Sequence, residues 1–235
     1  MRNLQSRCAH RAKTAAGQPI GQSPIWELTM TTEAIAKRII DVLQSGPASK
    51  IDLTVGAIRI SPTTLSPVIP AIRRWIAGGK GIGVEVDGKL PPTAAAQYKF
   101  DRDVYAVPND DYGKTVAERM YLYHESVHAM RDIQGDTEQG RKASTFLEDE
   151  AAAYVAGCLF FLYENGKTPA EVAPNAYPDY KIASLIARLV GNSKGPAIVS
   201  PTDAGMLVTI LRYTPLYSDA GVEFYTPASV DGVKS

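Results

Sequence analysis

The sequence predicts an α+β fold, a small N-terminal mixed sheet followed by a helical half. Segments that alternate like strands, or are rich in Ile and Val, lie between residues 51 and 107. From Lys114 onward, apolar residues recur at helical spacing over long stretches. The two kinds of segment follow one another as blocks, which is the α+β order and not the alternating one. The 235 residues are 45% hydrophobic and 21% charged, which fits one globular domain and excludes extensive disorder. Lys plus Arg number 25 and Asp plus Glu 25, so the basic excess of a nucleic-acid binder is missing. Cys8 and Cys158 are too few for a disulfide scaffold or a four-cysteine zinc site. No apolar run reaches the roughly 18 residues of a membrane span. The longest, Ala151 to Tyr163, has the length of a buried helix.

Residues 1–29 scatter Arg2, Arg7, Arg11 and Lys13 among Ser, Gln and Gly without a signal-peptide apolar core. They are expected to be a disordered extension, with the domain at 30–235, Met30 as a natural start and a cytoplasmic location. Thr31 or Thr32 can cap a helix to Leu43 through Ile35, Ile39 and Ile40, ended by Gly46-Pro47. Ile51–Ile58 is expected as a strand. Pro62, Pro67 and Pro70 make 61–70 a loop. Ala71–Ala77 is a short helix ended by Gly78-Gly79, and Ile82–Val86 a strand running into a hairpin-type turn at Asp87-Gly88. After Pro91-Pro92, Tyr98–Val107 is the next strand. Asn109-Asp110-Asp111 then offers caps before a long helix, Lys114–Ile133. A polar loop, Gly135–Ala143, separates it from a second long helix, Ser144–Asn165. Tyr180–Val190 and Asp203–Arg212 are two more helices.

His124-Glu125-Ser126-Val127-His128 is an HExxH motif in the first long helix. Residues four apart share a helix face, so both imidazoles can bind one Zn²⁺. Glu125, rotated about 100° from His124, can reach a water on the metal and act as general base and acid. Two of the chain's three histidines occupy this motif. No histidine follows His128, so a carboxylate must be the third ligand. The sequence offers Glu148-Asp149-Glu150 at the start of the second long helix. Acidic residues also favour a first helical turn for dipole reasons alone. The apolar stripe Leu147, Ala151, Tyr154, Val155, Cys158, Leu162 puts Asp149 on the opposite face, toward solvent. Glu148 and Glu150 flank the stripe, and phase does not rank them. Small Ala151 and Ala153 after Glu150 allow close helix approach and favour Glu150.

His124-Glu125-x-x-His128 followed by Glu-Ala-Ala-Ala-Tyr resembles the zincin metallopeptidases, specifically the gluzincins, over residues 98–165. The resemblance implies a zinc-dependent hydrolase of peptides or proteins, with Glu125 as general base and a Glu of the second helix as ligand. It implies that the Tyr98–Val107 strand is the edge along which substrate lies extended, near Tyr105. Glu148 matches the thermolysin-type separation more closely, while the Glu-Ala pairing favours Glu150. Tyr177, Tyr180, Tyr213 and Arg212 are the available donors to a developing oxyanion. A domain of the same fold that binds metal or a protein partner without turnover is the alternative.

Other features read as structural. Gly78-Gly79-Lys80-Gly81-Ile82-Gly83 lacks the Lys-Ser/Thr ending of a phosphate cradle. Arg73-Arg74-Trp75 is a helix surface, and Cys158 is buried packing.

Overall fold

The computed structural model describes residues 25–90, 95–135, 144–193 and 195–214, with side chains from Thr31 onward. In chain order, α1 is Ile25–Leu43, α2 Gly46–Ser49, β1 Leu53–Val55, β2 Ile58–Ile60, α3 Pro62–Leu65, α4 Val68–Ile76 and β3 Gly83–Val86. Then come β4 Gln97–Lys99, β5 Val104–Val107, α5 Val116–Gly135, α6 Phe146–Asn165, α7 Pro169–Val172, α8 Pro178–Val190, β6 Ala197–Val199 and α9 Pro201–Arg212. The α+β class holds, with small sheets and a helical half. No helix among the described residues is long and apolar enough to cross a membrane.

Several expectations are corrected. The strand expected at Ile51–Ile58 is a hairpin, because Gly56 at φ +57° and Ala57 turn the chain between β1 and β2. A positive φ at the first central position is what a II′ turn needs, and glycine supplies it without strain. The prolines of 61–70 start helices instead of preventing them. Pro62 follows the N-cap Ser61, whose side chain and Thr64 form a capping box. Pro70 sits in the first turn of α4, where its missing N–H has no partner to lose. Gly46-Pro47 likewise opens α2 behind the N-cap Ser45. Asp87-Gly88 forms a turn but no hairpin, since β3 pairs in parallel with β5.

Tyr98–Val107 is a hairpin of β4 and β5, antiparallel with Tyr98 opposite Tyr105. Two three-stranded sheets, β2-β1-β6 and β3-β5-β4, replace the single N-terminal one. β6 arrives from the C-terminal half and pairs in parallel with β1. α1 begins at Ile25, ahead of Met30. Residues 1–24 and 136–143, and with them most of the expected extension and loop, lie outside the described residues.

The core runs from α1 through both sheets to α6. α6 is its axis. Every residue from Leu147 to Phe161 except Glu148 is buried. A helix apolar all round belongs in an interior, and α6 packs against α5, α8, α9, α2, β1 and β2. This burial on every side decides the fate of the acidic residues at its start.

Candidate metal centre

Both long helices are fixed at their N-termini by reciprocal caps. Ahead of α5, Thr115 Oγ1 accepts from the Glu118 N–H, and the Glu118 carboxylate accepts from the N–H groups of Lys114 and Thr115. Ahead of α6, Thr145 and Glu148 form the same box. The Glu148 carboxylate is turned back onto the Thr145 N–H at 2.7 Å. It is therefore engaged at the helix end and is not part of the cluster that forms below.

That cluster is His124, His128 and Glu150, all buried. His124 Nε2 and His128 Nε2 are 3.2 Å apart. One Glu150 oxygen lies 3.4 Å from His124 Nε2 and the other 3.5 Å from His128 Nε2. Tetrahedral zinc with bonds of about 2.0–2.1 Å spaces its ligand atoms roughly 3.3–3.4 Å apart. The donor types and their spacing fit that ion.

Asp149 is the main correction. It is not solvated but 0% exposed, because α5 covers the face of α6 that the sequence left to water. Its Oδ2 lies 2.6 Å from His128 Nδ1, and its Oδ1 3.4 Å from Arg131 Nε. Arg131 also donates to Ser144 Oγ at 2.9 Å. An imidazole held at Nδ1 by a carboxylate presents Nε2 to the cluster. The absence of any polar face in α6 beyond Ala151 was the sequence signal for a buried Asp149.

Glu125 is also buried and lies with one oxygen 3.8 Å from His124 Nε2. Its other oxygen accepts the Tyr98 main-chain N–H at 2.7 Å. The Tyr98 hydroxyl donates to the buried Asp132 at 2.8 Å. Burial, then Asp132, holds that phenol protonated. Tyr105 donates to Ser126 Oγ at 2.9 Å. Tyr105 is fully buried on the central strand, which leaves no free strand edge beside it. The edge strand facing the site is β4.

Burial pushes the Glu125 carboxyl above the usual range, against the pull of His124, His128 and the Tyr98 amide. Burial would also raise Glu150, but the attraction and hydrogen bonds of the two imidazoles outweigh it and hold Glu150 ionised. Burial would lower His128, yet Glu150 and Asp149 together carry it well above 6.5. Two nearby carboxylates pushed in opposite directions suit two roles, ligand and proton carrier.

Aromatic rings wall the cluster. Tyr154 packs edge-on against His124 at 4.9 Å, and Tyr180 against Tyr154 at 4.8 Å. Phe100 lies 6.1 Å from His128. Of the four oxyanion donors considered, Tyr180 alone comes near. Tyr177 and Tyr213 are 60% and 78% exposed, and Arg212 is exposed. Cys158 is buried, with burial pushing its thiol up to about 12. Arg73 and Arg74 are exposed on α4.

No protein-family model matches the chain, and neither does any curated protein or solved structure. The geometry of the cluster stands without a relative beside it.

Proposed function

We propose that the chain is a zinc-dependent metallopeptidase with a zincin-like fold. The observation that supports it best is the spacing of His124 Nε2, His128 Nε2 and the Glu150 carboxylate, beside a carboxylate that is not a ligand, Glu125. A zinc ion in that place supplies an acidified water and a Lewis acid for a carbonyl. His124, His128 and Glu150 hold it. Glu125, whose carboxyl burial pushes above its usual range, would take a proton at its carboxylate and give it to the leaving amine. Of the oxyanion donors considered, Tyr180 is the one whose ring packs against Tyr154, the residue that touches His124. Substrate is an extended peptide on the β4 side.

The test measures bound metal and cleavage of a randomised peptide pool by the wild type, His128→Ala and Glu125→Gln. The reading expects one zinc per chain in the wild type and in Glu125→Gln, none in His128→Ala, and cleavage by the wild type alone. Failure to take up zinc at all sinks it. A second reading, a metal-binding domain without turnover, is favoured by the closure of the site, whose ligand residues are 4–7% exposed. Zinc bound and no peptide cleaved is its signature.

A further inference from the structure

Tyr98 is tied to α5 at two points, its amide to Glu125 and its hydroxyl to Asp132. Those partners are seven residues apart, two turns along one helix face. β4 is an edge of its sheet. Because the Tyr98 N–H goes to α5, Tyr98 and Tyr105 form the pair that exchanges no main-chain hydrogen bonds. The Tyr98 amide therefore points away from β5, the direction in which a further extended strand would join. The acceptor now on that amide is Glu125, the residue assigned the proton transfer.

We infer that the Tyr98 amide is a shared donor. Glu125 takes it while the site is closed, and a main-chain carbonyl of an extended peptide takes it on binding, which frees Glu125 to turn toward the reacting centre. This rests on the peptide reading given above. One N–H cannot serve two acceptors at full strength. A charge-assisted bond is roughly twice as strong as a neutral one, so a peptide wins the amide only by adding further strand contacts. A ligand that reaches the metal ligands without forming a strand leaves Glu125 latched. Selection for extended main chain is thereby built into the proton carrier itself.

The test is binding of a fluorescein-labelled random decapeptide pool to the full chain as purified. Anisotropy is read before fragments form, and fragments are followed by mass spectrometry. Glu125→Ala unlatches the amide and is expected to bind about tenfold more tightly than the wild type. The gain is expected to vanish for a pool methylated at every main-chain nitrogen, which has no N–H on either edge with which to build a ladder. Equal binding by wild type and variant overturns the exchange, and so does a gain that survives methylation. A gain with the pool left intact by the wild type keeps the exchange and removes the peptidase reading. Cleavage without a gain does the reverse. If Glu125→Ala does not fold, Glu125→Gln keeps the volume, loses the charge and is expected to show a smaller gain.

Discussion

His128 Nδ1 and Asp149 Oδ2 are 2.6 Å apart in the interface between α5 and α6, with Asp149 fully shielded from water. The contact fixes which imidazole nitrogen faces the cluster. Asp149→Asn keeps the shape and loses the charge. It is expected to weaken zinc binding about 10–100-fold, the usual cost of removing such a partner. Competition against a chelating dye reads the affinity, and circular dichroism checks the fold. An unchanged affinity would mean that His128 is oriented by its packing alone.

Glu148 and Glu150 are two residues apart and do different work. Glu150→Gln is expected to lose zinc. Glu148→Gln is expected to keep one zinc per chain and nearly its full stability, because glutamine at this position also closes a capping box. Metal analysis and urea unfolding separate the two. Zinc retained in Glu150→Gln and lost in Glu148→Gln would reverse the assignment.

The charges of the cluster predict a pH profile for the zinc-free chain. His128 has a raised pKa. Its contribution to stability is full below its ordinary value of 6.5 and is lost as pH rises through the folded value. Glu150 has a lowered pKa. Its contribution is present above its ordinary value of 4.5 and is lost as pH falls. Stability from this pair is expected to be greatest between pH 4.5 and 6.5. Zinc must displace the His128 proton, so loading is expected to release protons near pH 7 and to strengthen with pH. Calorimetry in buffers of different ionisation enthalpy counts them. No release would show that His128 was already neutral.

Gly157 lies where α6 passes the first histidine. A Cβ there would meet Met120 O at 3.4 Å and His124 Cβ at 3.5 Å, ordinary contacts. Gly157→Ala is expected to bind zinc like the wild type and to gain up to about 1 kcal/mol in helix propensity. Gly157→Leu has no room for its branch, moves His124 and is expected to lose zinc affinity. Unfolding and zinc titrations of both variants test this. Full affinity in the leucine variant would mean that α6 does not position His124.

How far the sequence could be read follows from the range of each interaction. The long helices and the pairing of His124 with His128 are set by spacing of three and four residues, which is local. Preference for Glu150 came from its small neighbours, and the site brings Glu150 together with both histidines. Asp149 departs from the expectation because an apolar stripe does not imply a wet opposite face, and the lack of any charged residue from Ala151 to Tyr163 marks a helix enclosed on every side. The prolines misled because Pro excludes helix interiors and not first turns. The contact between Tyr98 and Glu125 joins a strand edge to a helix and has no signature in either segment.

The parallel pairing of Leu53 with Ala197 has a consequence for synthesis. β1 is made early, with its antiparallel partner β2 at once, and then waits for a strand that leaves the ribosome after both α5 and α6. Until β6 arrives, one edge of β1 lacks its partner, and an unpaired edge is a template for other chains. Slow translation or release before residue 197 would thus be felt first as association between nascent chains, through the edge of β1 that β6 covers in the finished fold.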